Sequence, residues 1–355
     1  MENMNKNQFR NASSYTYSPG YTFPGNLPTE IFTKPTIGTP ALNEIFTIRQ
    51  GIRTDEYLIL ANTLDKIAGT NQGCEPTYTT AGTFSDRKLT VGKYGMYLKW
   101  CKEDFMATAS VLTNDPSFVA DGLDGYDVTA KIRKIWMDNM VDALRRDYFR
   151  IALFSNDTSG DSFWNQIEGL FVKLYDGLSS YCVKRVANSL GNNHNTNLND
   201  DEALDALRRL HIDSPIVLKS LVPQDKVFWV TGSMYENLMK SYESKSGGVD
   251  IQFRYLENGN YELRFRGIDV RPLYQADSTL ATDTTCPWYD NIRNFAIYTP
   301  KASSRYSNLV LGTERASDLN NIKMFFDEKD DVTYAKHEAR IGVNFINCDL
   351  TAFHD

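Results

Sequence analysis

The stretch DVTAKIRKIWMDNMVDALRRDYFRIALF, Asp127 to Phe154, is the longest segment with a sustained helical period. Val128, Ile132, Ile135, Trp136, Met140, Ala143, Leu144, Tyr148 and Ile151 recur in steps of three and four, which places them on one stripe of an α-helix. Lys131, Arg133, Lys134, Asp138, Asp142, Arg146 and Arg150 fall mostly off that stripe. The Asp127 carboxylate is suited to cap the first turn, where amide groups have no partner within the helix. Such a helix spans on the order of 40 Å at 1.5 Å per residue. Ordinary helices average about 11–12 residues. A mostly strand-and-loop chain therefore carries one long strut.

Upstream, residues 84–106 read FSDRKLTVGKYGMYLKWCKEDFM. Apolar and polar residues alternate on both sides of Gly92 and Gly95, which predicts a two-stranded excursion bent at the glycines and exposed on both faces. An isolated hairpin is marginal in water, so it needs another surface, such as a second copy of the chain. The run Tyr57–Leu60 with Leu64 and Ile67 reads as a short helix ending near Gly69. Residues 1–48 hold Pro19, Pro24, Pro28, Pro35 and Pro40, which forbid a long helix. Tyr15, Tyr17, Tyr21 and Phe23 make this stretch too apolar for a plain linker. It reads as an extended arm, with a disordered tail as the blander alternative.

Downstream, Asn199 precedes a helix whose apolar face is Leu204, Leu207 and Leu210, with acids at its start and Arg208 and Arg209 at its end. DKVFWVTG (225–232) is a buried-type strand, followed by a Ser233…Glu236 capping-box pattern. Asn258-Gly259 between two alternating runs marks a hairpin, because both turn positions of that type need positive φ. NFAIYT and SNLVLG are two further strands, and VTYAKHEARIGVNFINCDL is one long strand with a kink expected at Gly342.

Composition narrows the function. The chain has 355 residues, 41% hydrophobic and 23% charged, so it builds a globular core. A net charge of −7 argues against a dedicated nucleic-acid binder. No run is long and apolar enough to span a bilayer, and no secretory leader is recognisable. The five cysteines, Cys74, Cys101, Cys182, Cys286 and Cys348, are widely spaced without a CxxC pair. They predict free thiols in a reducing compartment rather than a disulfide framework or zinc site. Phosphate-binding and nucleophile-elbow motifs are missing. The four histidines are scattered, and His337-Glu338 lies on a strand where neighbours face opposite ways. Asp327, Glu328, Asp330 and Asp331 lack the spacing and glycine of a calcium loop and read as a solvated turn. No catalytic residue, metal or cofactor is assigned.

The order of elements resembles the major capsid protein of tailed double-stranded DNA bacteriophages, a fold shared with encapsulins and the herpesvirus capsid floor. Arg266-Gly-Ile-Asp-Val-Arg-Pro is similar to that family's glycine-led strand after the axial hairpin. Val332-Thr-Tyr-Ala-Lys-His-Glu-Ala-Arg-Ile-Gly-Val-Asn is similar to its closing strand. The resemblance implies an α+β chain with an N-arm (1–48), an extended β-hairpin loop (76–110), a peripheral domain (49–75, 111–165 and 325–355) holding a spine helix at 127–155, and an α/β axial domain (166–324). It implies self-assembly as pentamers and hexamers into an icosahedral shell around double-stranded DNA, assembled in the host cytoplasm and residing in the virion. The implied partners are a portal and separate scaffolding or decoration proteins. Tyr15, Tyr17, Tyr21 and Phe23 in the arm and Arg87, Lys88, Lys93 and Tyr94 in the loop are the candidate intersubunit contacts. Lys131, Lys134, Arg145 and Arg146 are candidates for weak contact with packaged DNA, with internal ion pairs such as Asp142 with Arg146 at i,i+4 as the alternative. An encapsulin shell and a cytosolic α/β enzyme, with its pocket near 225–245, are the rival readings.

Overall fold

The structure, a computed structural model, describes residues 39–61, 84–101, 130–179, 182–186, 198–244, 251–255, 261–289, 292–316, 321–327 and 332–355. Its strands are β1 (Thr47–Arg49), β2 (Asp55–Ala61), β3 (Phe84–Thr90), β4 (Gly92–Cys101), β5 (Lys184–Val186), β6 (Lys226–Thr231), β7 (Ile251–Tyr255), β8 (Tyr261–Phe265), β9 (Ile268–Leu273), β10 (Ala296–Pro300), β11 (Leu309–Thr313), β12 (Lys323–Asp327), β13 (Val332–Phe345) and β14 (Ala352–His354). Its helices include α1 (Leu42–Ile45), α2 (Ala130–Phe154), α3 (Leu170–Ser179), α4 (Glu202–Asp213), α5 (Ile216–Ser220), α6 (Gly232–Ser244) and α7 (Tyr274–Thr282). The chain divides into two compact units, and α2, β4 and β13 each contribute residues to both.

The larger unit spans 37–94, 144–319 and 339–355. It holds a seven-stranded sheet in the order β5-β14-β10-β6-β9-β8-β7. Every residue of β6 is buried, in agreement with the apolar run Val227–Val230 at its centre. β6 pairs parallel to β9 and antiparallel to β10. The strands on either side of Asn258-Gly259, β7 and β8, pair antiparallel with Tyr255 opposite Tyr261, and the residues between them lie outside the described ones. The next turn, between β8 and β9, uses Arg266 at φ 50° and Gly267 at φ 79°, the two positive angles that a tight two-residue turn needs. Leu204, Leu207 and Leu210 of α4 are buried, as their spacing predicts, and join Phe228, Val230, Leu263, Phe265 and Tyr298 in one core.

The capping box at Ser233 does not form. The Ser233 amide and hydroxyl instead donate to Asp277 Oδ2, at 2.6 and 2.8 Å, and Glu236 accepts from Tyr274. The cap of α6 is thus supplied by α7, a long-range partner invisible to local pattern.

The long helix runs from Ala130; Asp127 and Val128 lie outside the described residues. Met140, Leu144, Tyr148 and Ile151 are buried, so the described part of the apolar stripe is the packed face. Past Tyr148 the helix is enclosed: Phe149, Ile151, Ala152, Leu153 and Phe154 are all buried. Phe154 stacks on Phe171 of α3 at 5.5 Å, and Phe295 meets Phe171 edge-on at 4.8 Å.

The smaller unit includes the described residues 95–101, 130–143, 321–327 and 332–338. β12 pairs antiparallel with the first part of β13, Phe325 opposite Tyr334. Asp327 pairs with Val332; Glu328, Asp330 and Asp331, read as a solvated turn, lie outside the described residues. His337 is buried and its Nδ1 lies 2.8 Å from the Asn321 carbonyl oxygen.

Two expectations are corrected. Residues 57–61 belong to β2, not to a helix. The excursion is also built differently: β3 pairs with β2, from Asp55↔Thr90 to Ala61↔Phe84, while β4 pairs with β13. The glycine-bearing stretch therefore redirects the chain between partners rather than folding it back on itself. β2 and β3 form the two-stranded ribbon, and the segment between them lies outside the described residues.

In the larger unit Gly312 of β11 sits directly opposite Gly342 of β13. A Cβ on Gly342 would lie 2.0 Å from the Thr90 carbonyl oxygen, and one on Gly312 would lie 2.9 Å from Ile52 and Leu89 side-chain carbons. Gly342 is needed for close approach, not for a kink. Gly342→Ala is therefore expected to destabilise by about 1–3 kcal/mol or more, read as a lower denaturation midpoint. Gly160→Ala, with nothing within 4 Å of its added Cβ, serves as the near-neutral control.

A second prediction concerns β14. The Asp355 side chain following it is buried and bonded to Tyr175 and to Arg185 Nε, the latter at 2.7 Å. Burial pushes its carboxyl from 3.8 up to about 7, against the lowering effect of a backbone hydrogen bond. A raised folded pKa means this group's stability is full below its unfolded pKa and lost as pH rises towards the folded one. Asp355→Asn, which cannot ionise, should shrink the drop in unfolding temperature between about pH 4 and about pH 7.

Candidate assembly surface

The β2–β3 ribbon has two unlike faces, set by strand alternation. Leu58 of β2 and Leu89 of β3 point to one face and are 2% and 0% exposed. They pack with Ile52, Val91 and Val310 in a small core. Tyr57 and Ile59 of β2, and Phe84 of β3 opposite Ala61, point to the other face. These three are 58%, 68% and 76% exposed. Lys88, opposite Tyr57, reaches Asp55 at 3.0 Å on the same exposed face. Three large apolar side chains on one side of a two-stranded ribbon form a continuous stripe rather than scattered singles, and such stripes mark interaction surfaces.

The ribbon's inner end is fixed by polar contacts. Asn344 of β13 donates to the Lys88 carbonyl oxygen at 2.8 Å. Arg87 extends from β3 and lies over the Phe345 ring at 4.1 Å. Its Nη2 donates to Cys182 and Cys348 sulfurs at 2.8 and 2.7 Å. Those two cysteines are joined as a disulfide with Cα atoms 5.3 Å apart. This corrects the expectation of free thiols for this pair. They are 166 residues apart in sequence, and only the tertiary fold makes them neighbours. Cys286 is a free, buried thiol, which burial pushes up to about 12 and so keeps protonated.

The loop candidates thus have distinct surroundings. Lys88 and Lys93 are exposed, Arg87 is half-buried against the disulfide, and Tyr94 is turned inward. Tyr94 packs edge-on against Tyr148 of α2 at 5.4 Å, and its hydroxyl donates to Asp147 at 3.4 Å. Burial raises both the Tyr94 phenol and the Asp147 carboxyl, the latter against the pull of Arg150 and Arg146. Arg145 is exposed and Arg146 half-buried. The side chains of Lys131 and Lys134, and the arm residues Tyr15, Tyr17, Tyr21 and Phe23, lie outside the described residues. Sequence reading missed Tyr57, Ile59 and Phe84. The signal was there as alternation in 55–61, but the run was also compatible with helix.

A cleft of about 260 Å³ lies beside α6, lined by Ser233, Glu236, Asn237, Lys240, Arg293 and Asn294. Its polar groups are engaged within the chain: Ser233 with Asp277, Asn237 with the Asn199 carbonyl, and Lys240 with Asp200. Among the described residues, no group of three or more metal-ligating side chains could hold an ion.

No protein-family model and no curated protein matches the sequence. Solved structures do match. A chain of Mycobacterium phage Ogopogo is 15% identical, with 94% of this chain and 96% of that one covered and a TM-score of 0.57. The capsid of Myoviridae phage XM1 is 11% identical, covering 93% and 96%, with a TM-score of 0.55. The capsid of a native GTA particle is 9% identical, covering 94% and 95%, with a TM-score of 0.53. The likeness is one of fold, and it extends over nearly the whole of each chain. The mixed helix-and-sheet architecture is that of phage capsid proteins.

Exposed and buried positions of the ribbon should separate on substitution. Leu58→Ala should cost about 2–5 kcal/mol in the isolated subunit. Ile59→Ser should stay within about 0.5 kcal/mol, both by denaturant titration.

Proposed function

We propose that this chain is the structural subunit of an icosahedral capsid, joining as pentamers and hexamers around double-stranded DNA. The single observation behind this reading is full-length agreement with capsid folds in the absence of sequence similarity. The outward apolar stripe of the ribbon supports it, since Tyr57, Ile59 and Phe84 are exposed among the described residues. A marginal two-stranded ribbon gains stability by lying on a neighbour, and obligate interfaces exceed roughly 2,000 Å². The encapsulin and enzyme readings have no comparable support; the cleft beside α6 spends its polar groups internally.

In this proposal the arm (1–48) and the extended loop (76–110), together with β2, lie across adjacent subunits. Tyr15, Tyr17, Tyr21, Phe23, Lys88 and Lys93 serve as contacts alongside Tyr57, Ile59 and Phe84. Arg87 and Tyr94 act one step back, holding the ribbon and β4 to the body of their own chain. Residues 166–324 form the axial domain, and 49–75, 111–165 and 325–355 the peripheral one. Lys131, Lys134, Arg145 and Arg146 on the spine helix give weak, salt-sensitive contact with DNA. Assembly takes place in the host cytoplasm, with a portal and separate scaffolding or decoration proteins as further partners.

Negative-stain micrographs of purified protein should show closed shells; a monodisperse monomer or dimer by light scattering would overturn the reading. Ile59→Asp with Phe84→Asp, or deletion of residues 1–30, should leave a folded subunit that forms no shells. Lys131→Glu with Lys134→Glu should leave shells intact and lower the amount of DNA they hold. Full packaging by that variant would remove those lysines from the proposal.

A further inference from the structure

Cys182 and Cys348 stand just before two strands that pair in parallel, β5 and β14, with Lys184 opposite Ala352. Their cross-link therefore ties both strands at their entry into the seven-stranded sheet. Cys182 is further fixed by its amide, which donates to the Gly177 carbonyl at 2.8 Å, and Cys348 by its carbonyl, which accepts from Thr351. Both cysteines are half-buried rather than enclosed in the core. The third partner is Arg87 of β3, whose guanidinium contacts both sulfurs. A permanent cation does little for a neutral disulfide. It strongly favours the thiolates that appear when the bond opens. Stabilising the reduced form makes a disulfide easier to open, and a thiolate poised beside its partner makes it quick to close.

We propose that Cys182–Cys348 is a thiol–disulfide exchange site, open where the chain is made and closed afterwards by a low-molecular-weight disulfide, with Arg87 setting the balance. The proposal rests on the capsid reading, since a released particle passes from a reducing cytoplasm to an oxidising medium. In the first step one protein thiolate attacks a sulfur of the small disulfide. That S–S bond breaks, a small thiolate leaves, and a mixed disulfide remains. The second protein thiolate then attacks the protein sulfur of the mixed disulfide and expels the other small thiolate. The protein loses two electrons and two thiol protons; the small disulfide takes up both. Closure ties the end of the chain to β5, beneath the ribbon strand that carries Arg87. Arg87 acts on this chemistry directly, through its contacts with both sulfurs.

The test uses the full chain, prepared with reductant, assembled, and equilibrated in buffers of reduced and oxidised glutathione. Thiols are counted after denaturation by the gel shift of a maleimide-coupled polymer. Two of the five thiols of the native protein should disappear on oxidation, and none in Cys182→Ser or Cys348→Ser. Oxidised particles should unfold about 5 °C above reduced ones, a gap absent in Cys348→Ser. Arg87→Gln should need a buffer about tenfold more reducing to open the bond, and Arg87→Lys should restore most of the native value. Five reactive thiols in every buffer, or unchanged loss of two in Cys348→Ser, would overturn the site. An Arg87→Gln midpoint equal to the native one would overturn the role of Arg87. Micrographs of the same samples keep the two readings apart. Normal thiol loss without shells sinks the capsid reading, and shells with five thiols throughout sink the exchange site.

Discussion

Gly312 and Gly342 face each other across the β11–β13 ladder, and the rest of the ribbon's geometry depends on the space they leave. With no side chain on either residue, the backbone at Thr90 comes within contact of β13, and Leu89 and Val91 settle against Ile52 and Val310. A methyl group on Gly342 would occupy the Thr90 carbonyl oxygen's position. This close approach fixes the point where β3 ends and β4 begins. It also decides which ribbon face is buried, because strand alternation carries the consequence outward residue by residue. Leu58 goes inward and Ile59 outward. One steric allowance in the body of the molecule thus aims an apolar stripe at solvent.

The aromatic end of α2 gives the larger unit its rigidity. Phe154, Phe171, Phe295 and Trp288 contact one another in sequence, and Tyr175 continues the contacts to Phe353 of β14. Aromatic pairs of this kind add to the energy of simple burial. Polar groups that could have made a site are engaged structurally: Asp277 caps α6, and Asp269 holds both Arg264 and Lys301.

Much of this was legible because some signals are local. The centre of β6, Val227 to Val230, is wholly apolar, so it had to be buried, and Asn258-Gly259 admits few turns other than a hairpin. Leu204, Leu207 and Leu210 could share a face only as a helix. Local signals failed where a partner lay far away in sequence. The alternation in 84–101 correctly identified two strands, yet it contained nothing to say that β3 pairs with β2 and β4 with β13. The Ser233…Glu236 pattern fits a capping box, but Asp277 is the stronger acceptor and lies in reach. Wide spacing of Cys182 and Cys348 suggested isolation, and the fold cancelled that distance.

The sequence by itself determined the long helix, the buried central strand, the Asn-Gly hairpin, the long closing strand and the order in which they follow. Period and turn chemistry are properties of neighbouring residues, so a linear chain carries them in full. Only the tertiary structure decided which strands pair, where the ribbon is seated, which of its faces meets water and which two cysteines meet. Those outcomes depend on contacts between residues tens to hundreds of positions apart. Sterics as fine as one absent methyl group at Gly342 choose among them.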